Sequence, residues 1–330
     1  MKKLVCHKKR KKYRTLAIIG NGFDLAHNYP TLYESFANAT VSENLDIFRD
    51  YCDKDGSINT WYYFEENIAQ LTQDLFVQSY MDSNGYEEAR QRQSNLTKVF
   101  AEIHRLLIQY LRSITESKPV VKLPNVKKYL NHKTMAISFN YTNVAKAYPC
   151  DIFYVHGSLD EDDILLGYDY RDEACLAQYD DMRWSKRICR EALAFRRFLK
   201  HNLHLQVGSS EYDERIASFE MYQDYENSGR GIDEADDTII PHFQLVDEFL
   251  NSYRKNGYLP NIAYNKISTI VVLGHGIEAD RVFLSQIIKK CPRLKKVVIF
   301  RYAGEDDSSF DAKVEFFKPY CKRIRSARYR

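Results

Sequence analysis

No apolar run in the sequence approaches the roughly 20 residues that a membrane span requires, so the chain is not expected to enter a bilayer. A secretory leader is not expected either. In the opening MKKLVCHKKRKKYR, charges flank both sides of a three-residue apolar patch, which leaves no h-region. The seven cysteines are odd in number and scattered, which fits a reducing cytoplasm better than a disulfide framework. No two of them stand at C-x-x-C spacing, and no acids cluster at ligand spacing, so neither a structural zinc nor any other metal is expected. Internal repeats and low-complexity segments are also missing. Residues 1–14 hold eight Lys or Arg and no acid. The formal charge of +3 therefore hides a net-acidic remainder, until CKRIRSARYR turns basic again. Such arms bind nucleic acid or an acidic partner, or are simply solvated termini.

What is present suits a globular chain. The 330 residues are 44% hydrophobic, 28% charged and 14% aromatic, enough to bury a substantial core. Four short apolar runs stand out: TLAIIG (15–20), TMAISF (134–139), DIFYVHG (151–157) and TIVVLG (269–274). A fifth, KKVVIFRY (295–302), follows a helix-like stretch. They are β-branched or aromatic and end in Gly, Asn or His, the texture of parallel strands buried on both faces. Alternation with long helical stretches predicts an α/β fold, a parallel sheet flanked by helices. A helical block is expected over about 31–118, opened by the capping-box pattern Thr31-x-x-Glu34. Within it, 61–76 and 99–114 read as amphipathic helices. Residues 171–240 read as a helical insertion with a loop at SGRGIDEADD, a lid or a partner surface. The expected organisation is a tail, 1–14, and one α/β domain, 15–330.

The chemistry-bearing residues sit where those strands end. The first run leads into Gly20, Asn21, Gly22 and Asp24; the second into Asn140, Tyr141 and Thr142. The third gives His156, Gly157 and Ser158, and the fourth Gly274, His275, Gly276 and Asp280. In open parallel sheets the ligand crevice lies outside the carboxyl ends of the strands, so all four groups are expected to face one cleft. Each group also has a plainer reading. GNGFD lacks the third glycine of a dinucleotide fingerprint, with Leu25 in its place, and an acid there would repel a pyrophosphate. Asp24 can be a helix cap, Asn140 a turn residue and His156 a structural histidine. Tyr168 and Asp169 can end a further strand without a role, and Glu65-Glu66 fits the polar edge of a helix.

Taken together, GNGFDLAHNYPTLYESF, ISFNYTNVAKAY, YVHGSL, ILLGYD and GHGIEADRVFL resemble, in this order, the bacteriophage abortive-infection AbiH-like proteins. These in turn are similar to sirtuin-like NAD-binding domains, which implies a Rossmann-like sheet. The resemblance covers about Leu16 to Phe300, loosely over 171–260, and implies an NAD site. Asn140 and His156 match the catalytic positions acting on the nicotinamide ribose. Gly20, Asn21 and Gly22 match the loop beneath the adenosine diphosphate, with Gly274 and Asp280 toward the adenine end. Asp24, Tyr141, Thr142, Gly157 and His275 complete the expected cofactor-binding set. The expectation is a cytoplasmic antiphage protein that hydrolyses NAD to nicotinamide and ADP-ribose, with His156 as base (histidine titrates near ~6.5) and Asn140 orienting the ribose or water. The four-cysteine zinc module of sirtuin deacetylases is missing, which argues against deacetylation. Rival readings are a non-catalytic nucleotide sensor and, third, a nucleic-acid-directed toxin acting through the basic termini. A toxic hydrolase would need restraint, so a phage-derived trigger, a partner protein or a homo-oligomer is expected.

Overall fold

The computed structural model describes residues 12–40, 86–161, 163–164 and 203–227, parts of 191–200, and most of 240–329. The expected helix at 61–76 with Glu65-Glu66, the Tyr168–Asp169 segment, residues 171–190 and the SGRGIDEADD loop lie outside the described residues. The chain divides into two compact units. The first gathers 1–41, 106–164 and 259–330; the second gathers 42–105 and 165–258.

The first unit is built on a six-stranded parallel sheet: β1 (Thr15–Ile19), β2 (Thr134–Ser138), β3 (Asp151–Tyr154), β6 (Thr269–Leu273), β7 (Lys296–Arg301) and β8 (Ile324–Arg328). A two-stranded hairpin, β4 (Gly157–Ser158) and β5 (Asp163–Ile164), lies apart from it. The sheet order is β3-β2-β1-β6-β7-β8. Sequence order runs outward from β1 to β3 and then restarts at β6 on the other side. The reversal therefore falls between β1 and β6, whose register pairs Ile19 with Leu273.

All five apolar runs form strands, four of them buried as expected, with Leu16, Ala17, Ile18 and Ile19 wholly buried, as are Ile270 to Leu273; β3 instead lies at the sheet edge with Asp151 exposed and Ile152 and Phe153 half-buried. A core of Ala17, Ile19, Phe23, Ala136, Leu273 and Phe300 packs on one face of the sheet. The helices of this unit are α1 (Asn21–Ala26), α2 (Tyr33–Ala39), α4 (Pro124–Lys127), α7 (Arg281–Lys289) and α8 (Asp307–Phe317). The long α3 (Tyr86–Glu116) contains the predicted helix at 99–114 and divides between the units at residue 105.

Three local expectations need correction. The basic C-terminus is not a solvated arm. Residues 324–328 form edge strand β8, with Val298 in register with Arg325 and the Arg328 carbonyl accepting from Asn125 Nδ2 at 3.2 Å. Its Arg-rich alternation hides it as an apolar run, and charged side chains are how an edge strand avoids pairing with a foreign one. Thr31 does not cap α2: the N-cap is Leu32, with no side-chain cap, while the Thr31 hydroxyl donates to Asn21 Oδ1. Nor does Asp24 cap α1. The cap position belongs to Gly20, in extended backbone, and Asp24 points into the interior.

The second unit has its own core. Its helices α5 (Ser210–Asn227) and α6 (Ile240–Asn256) pack around Phe195, Phe219, Tyr222, Phe243 and Leu250. The Tyr222 hydroxyl donates to Asp247 Oδ1 at 2.7 Å. Within the expected insertion, residues 210–227 are helical, and a further helix runs over 240–256.

Candidate functional site

The carboxyl ends of β1, β2, β3 and β6 deliver the sequence-marked residues to one place. Glycine is what lets the first and last of them meet. A Cβ on Gly20 would stand 2.6 Å from the His275 Cα, and one on Gly22 would stand 2.9 Å from the Gly274 Cα. Gly274 is the tightest, at φ +68° with its would-be Cβ 2.1 Å from the Phe23 nitrogen. Here glycine serves both the left-handed backbone and the close approach of two loops. The Gly20 amide donates to the Leu273 carbonyl at 3.0 Å and the Gly22 amide to the Gly274 carbonyl at 2.9 Å. These glycines thus clamp β1 to β6, and both amides are already engaged.

Asn140 leaves β2 beside this clamp, its Nδ2 donating to the Gly20 carbonyl at 3.1 Å. Two residues on, the Thr142 hydroxyl donates to Asp24 Oδ2 at 2.5 Å. Asp24 is 1% exposed, and its Oδ1 finds no donor. Burial pushes its carboxyl up to about 7, against the opposing hydrogen bonds of Thr142 and Asn140. The acid that would repel a phosphate is therefore sequestered beneath the loop and half neutral near pH 7.

The two histidines flank one ring. Phe139 lies 4.2 Å from the His275 ring centroid and 5.7 Å from that of His156, with Tyr141 at 6.4 Å from His156. Both histidines are buried, His156 in the turn between β3 and β4. The His275 tautomer follows from its partners. Its Nδ1 accepts from the Ile277 amide at 2.9 Å, so the proton sits on Nε2, which faces Asp280 Oδ2 at 3.2 Å. That turn is strained: Ile277 is β-branched yet holds φ +69°, ψ −47°. Such backbone costs on the order of 1–3 kcal/mol and persists only where its surroundings enforce it.

Every predicted site residue is thus placed at this edge. Asn21 is exposed at the start of α1, and Gly157 opens β4 at φ +81°. The Tyr141 carbonyl accepts from the Leu159 amide at 2.9 Å, tying the β2 loop to the β4 hairpin. Beside that tie lies a cavity of about 420 Å³, lined by Arg112, Glu116, Asn143, Leu159 and Asp160 among others. Arg112 Nη2 donates to the Leu159 carbonyl at 3.1 Å, and Lys146 pairs with Asp160.

Sequence reasoning missed the support beneath. His27 Nδ1 bonds the Phe23 carbonyl at 2.7 Å and must be the donor, so Nε2 accepts from the Tyr148 hydroxyl at 2.8 Å. That hydroxyl in turn accepts from the Leu123 amide at 2.8 Å. The chain locks α1 to the segment after β2, and burial lowers the His27 pKa. The spacing of His27 four residues after Phe23 was its only signal. Phe139 was missed although it lies inside the quoted ISFNYT. Among the described residues, no group of three or more His, Cys, Asp or Glu could hold a metal ion, and no helix is long and apolar enough to cross a membrane.

The motifs that build this edge run from β1 into α7, and a model of the bacteriophage abortive infection AbiH family matches a span that contains them all, from residue 16 to 302. The chain belongs to the AbiH family. No curated protein and no solved structure matches it. The AbiH match begins at Leu16 within β1 and stops one residue beyond β7, so it takes in all four converging loops and leaves β8 outside.

Proposed function

We propose that this AbiH protein acts in abortive infection of phage-infected bacteria by hydrolysing NAD to nicotinamide and ADP-ribose. The observation that carries the reading is the bond of Asn140 to the glycine clamp where strand order reverses, with His156, from the neighbouring strand, against the rings of Phe139 and Tyr141 on either side of Asn140 in sequence. Counting only the strands of the sheet, the order is that of Rossmann-like dinucleotide-binding folds, whose ligands lie at that reversal. A sirtuin-like arrangement is the form this reading gives to the site.

The chemistry needs little more than these residues. Nicotinamide departs with the electron pair of the C1′–N bond, leaving an oxocarbenium-like ribose. A water oxygen bonds to C1′, and its proton passes to His156. Asn140, held by the Gly20 carbonyl, orients a ribose hydroxyl or that water. The sequestered and partly protonated Asp24 lessens the charge repulsion that GNGFD otherwise presents to a pyrophosphate.

Nicotinamide release from NAD by purified protein tests the assignment. His156→Ala is expected to slow it by about 10²- to 10⁴-fold, the worth of a general base, while NAD still raises the unfolding temperature. Thermal stabilisation by NAD with no release from the wild type would favour a non-catalytic sensor.

A further inference from the structure

We propose that the edge of the sheet opposite the candidate site is a binding surface for the phosphodiester backbone of nucleic acid. The proposal does not rest on the NAD reading. The segments that enter β1, β2, β6, β7 and β8 from that edge are KYR (12–14), KKYLNHK (127–133), YNKIS (264–268), KKCPRLKK (289–296) and PYCKR (319–323). None contains an acid, and their lysines and arginines are exposed apart from a half-buried Lys296.

Backbone hydrogen bonds show that these segments are neighbours. The Arg14 amide donates to the Lys133 carbonyl at 3.0 Å, and the Ser268 amide to the Arg14 carbonyl at 2.9 Å. The Lys295 amide donates to the Ser268 carbonyl at 2.9 Å, and the Val297 amide to the Arg323 carbonyl at 2.9 Å. At ~4.8 Å between strands, the cations from β2 to β8 form a continuous strip about 19 Å long. Its lysines also lie over aromatic rings, Lys296 5.5 Å from Tyr129 and Lys290 6.0 Å from Tyr264.

The two edges treat their cations differently. At the site edge four are matched: Lys146 to Asp160, Arg281 to Glu278, Arg301 to Asp307 and Lys313 to Glu305. Lys318, at the end of α8 just before the last segment, pairs with Glu315 and is not counted in the strip. Among the described residues, none of the cations in the five segments pairs with a carboxylate. Asp151, at the start of β3, accepts from the Tyr13 hydroxyl. A strip of one sign with no acid in it complements a line of phosphates, one charge per ~1.7 Å of duplex, better than the mixed charge of a protein surface. An anionic bilayer is the weaker match, because among the described residues none of the exposed large apolar ones (Leu32, Val121, Val207, Met221) belongs to these segments to anchor in it. The basic sequence before Lys12 joins the fold at this same strip.

The test is binding of the full chain to a 30-base-pair DNA duplex and a 30-nucleotide RNA over a salt series, with anionic phosphatidylserine vesicles in parallel. Wild type is expected to bind a nucleic acid with a log–log salt slope of about −4 or steeper. Lys133→Glu with Lys295→Glu is expected to weaken binding at least tenfold and to flatten that slope by about 2. A charge-matched control outside the strip, Lys122→Glu with Lys200→Glu, is expected to bind like wild type, with thermal unfolding confirming that both variants fold. Equal loss in the control, an unchanged slope, binding to vesicles alone, or no binding to any probe would each overturn the proposal.

Discussion

Replacing Asp24 with asparagine removes a buried charge while keeping the shape of the side chain. The carboxyl moves from 3.8 to about 7 on folding, so between those values the native state holds a proton that the unfolded chain has released. The sign then follows: wild-type stability is highest where Asp24 is protonated in both states and falls as pH rises toward the folded value. One pKa unit is worth about 1.4 kcal/mol, so the rise from pH 5 to pH 8 costs wild type about 3 kcal/mol through this group. The asparagine side chain carries no such cost and can still accept from Thr142. Burial also lowers the His27 pKa, which costs stability as pH falls below about 6.5, but that contribution is common to both proteins and cancels in their difference. Thermal unfolding of wild type and Asp24→Asn at pH 5 and pH 8 reads the effect. The variant's advantage in Tm is expected to grow by about 4 °C or more between the two pH values. A difference that stays constant with pH would refute the buried, proton-holding Asp24.

Three further outcomes follow from the same geometry. Gly274→Ala is expected to abolish folding or cost more than about 3 kcal/mol in denaturant unfolding, since its Cβ would meet the Phe23 nitrogen at 2.1 Å. Its control is Gly276→Ala, two residues on, which has nothing within 4 Å of its Cβ and is expected to change stability by less than about 1 kcal/mol. Lys313→Met leaves Glu305 buried without its cation and is expected to cost about 3 kcal/mol or more in the same unfolding measurement. His27→Phe breaks both ends of the His27–Tyr148 link and is expected to raise hydrogen exchange in α1 selectively, at about 1–3 kcal/mol of stability.

Four of the five strands that sequence alone revealed are buried on both faces, where burial demands an unbroken apolar run; the fifth, β3, is a half-buried edge strand that showed through its aromatic and β-branched residues. TLAIIG and TIVVLG met that demand; IRSAR, at the edge, did not have to. The four loops were legible for a related reason: a strand that ends abruptly in Gly, Asn or His shows where polar groups collect. What those groups do was less legible. Asp24 stands two positions after Gly22 in sequence, yet only the packing of α1 against Thr142 and Asn140 shows that its charge is withdrawn from the loop. The glycines suggested a phosphate cradle, whereas Gly20 and Gly22 spend their amides on β6 and the loop after it. Ile277 gave no warning of its positive φ, since β-branched residues are those least expected there. The basic strip was divided among segments far apart in the chain, each ordinary until the parallel sheet aligned them.

The most direct test of the central claim is the NAD content of phage-infected bacteria expressing this protein or its His156→Ala variant at equal abundance, measured by mass spectrometry with nicotinamide. Wild type is expected to drain NAD and accumulate nicotinamide after infection, while the variant leaves both at the level of cells lacking the protein. NAD that stays level in wild-type cells while phage growth is still arrested would contradict the hydrolase account.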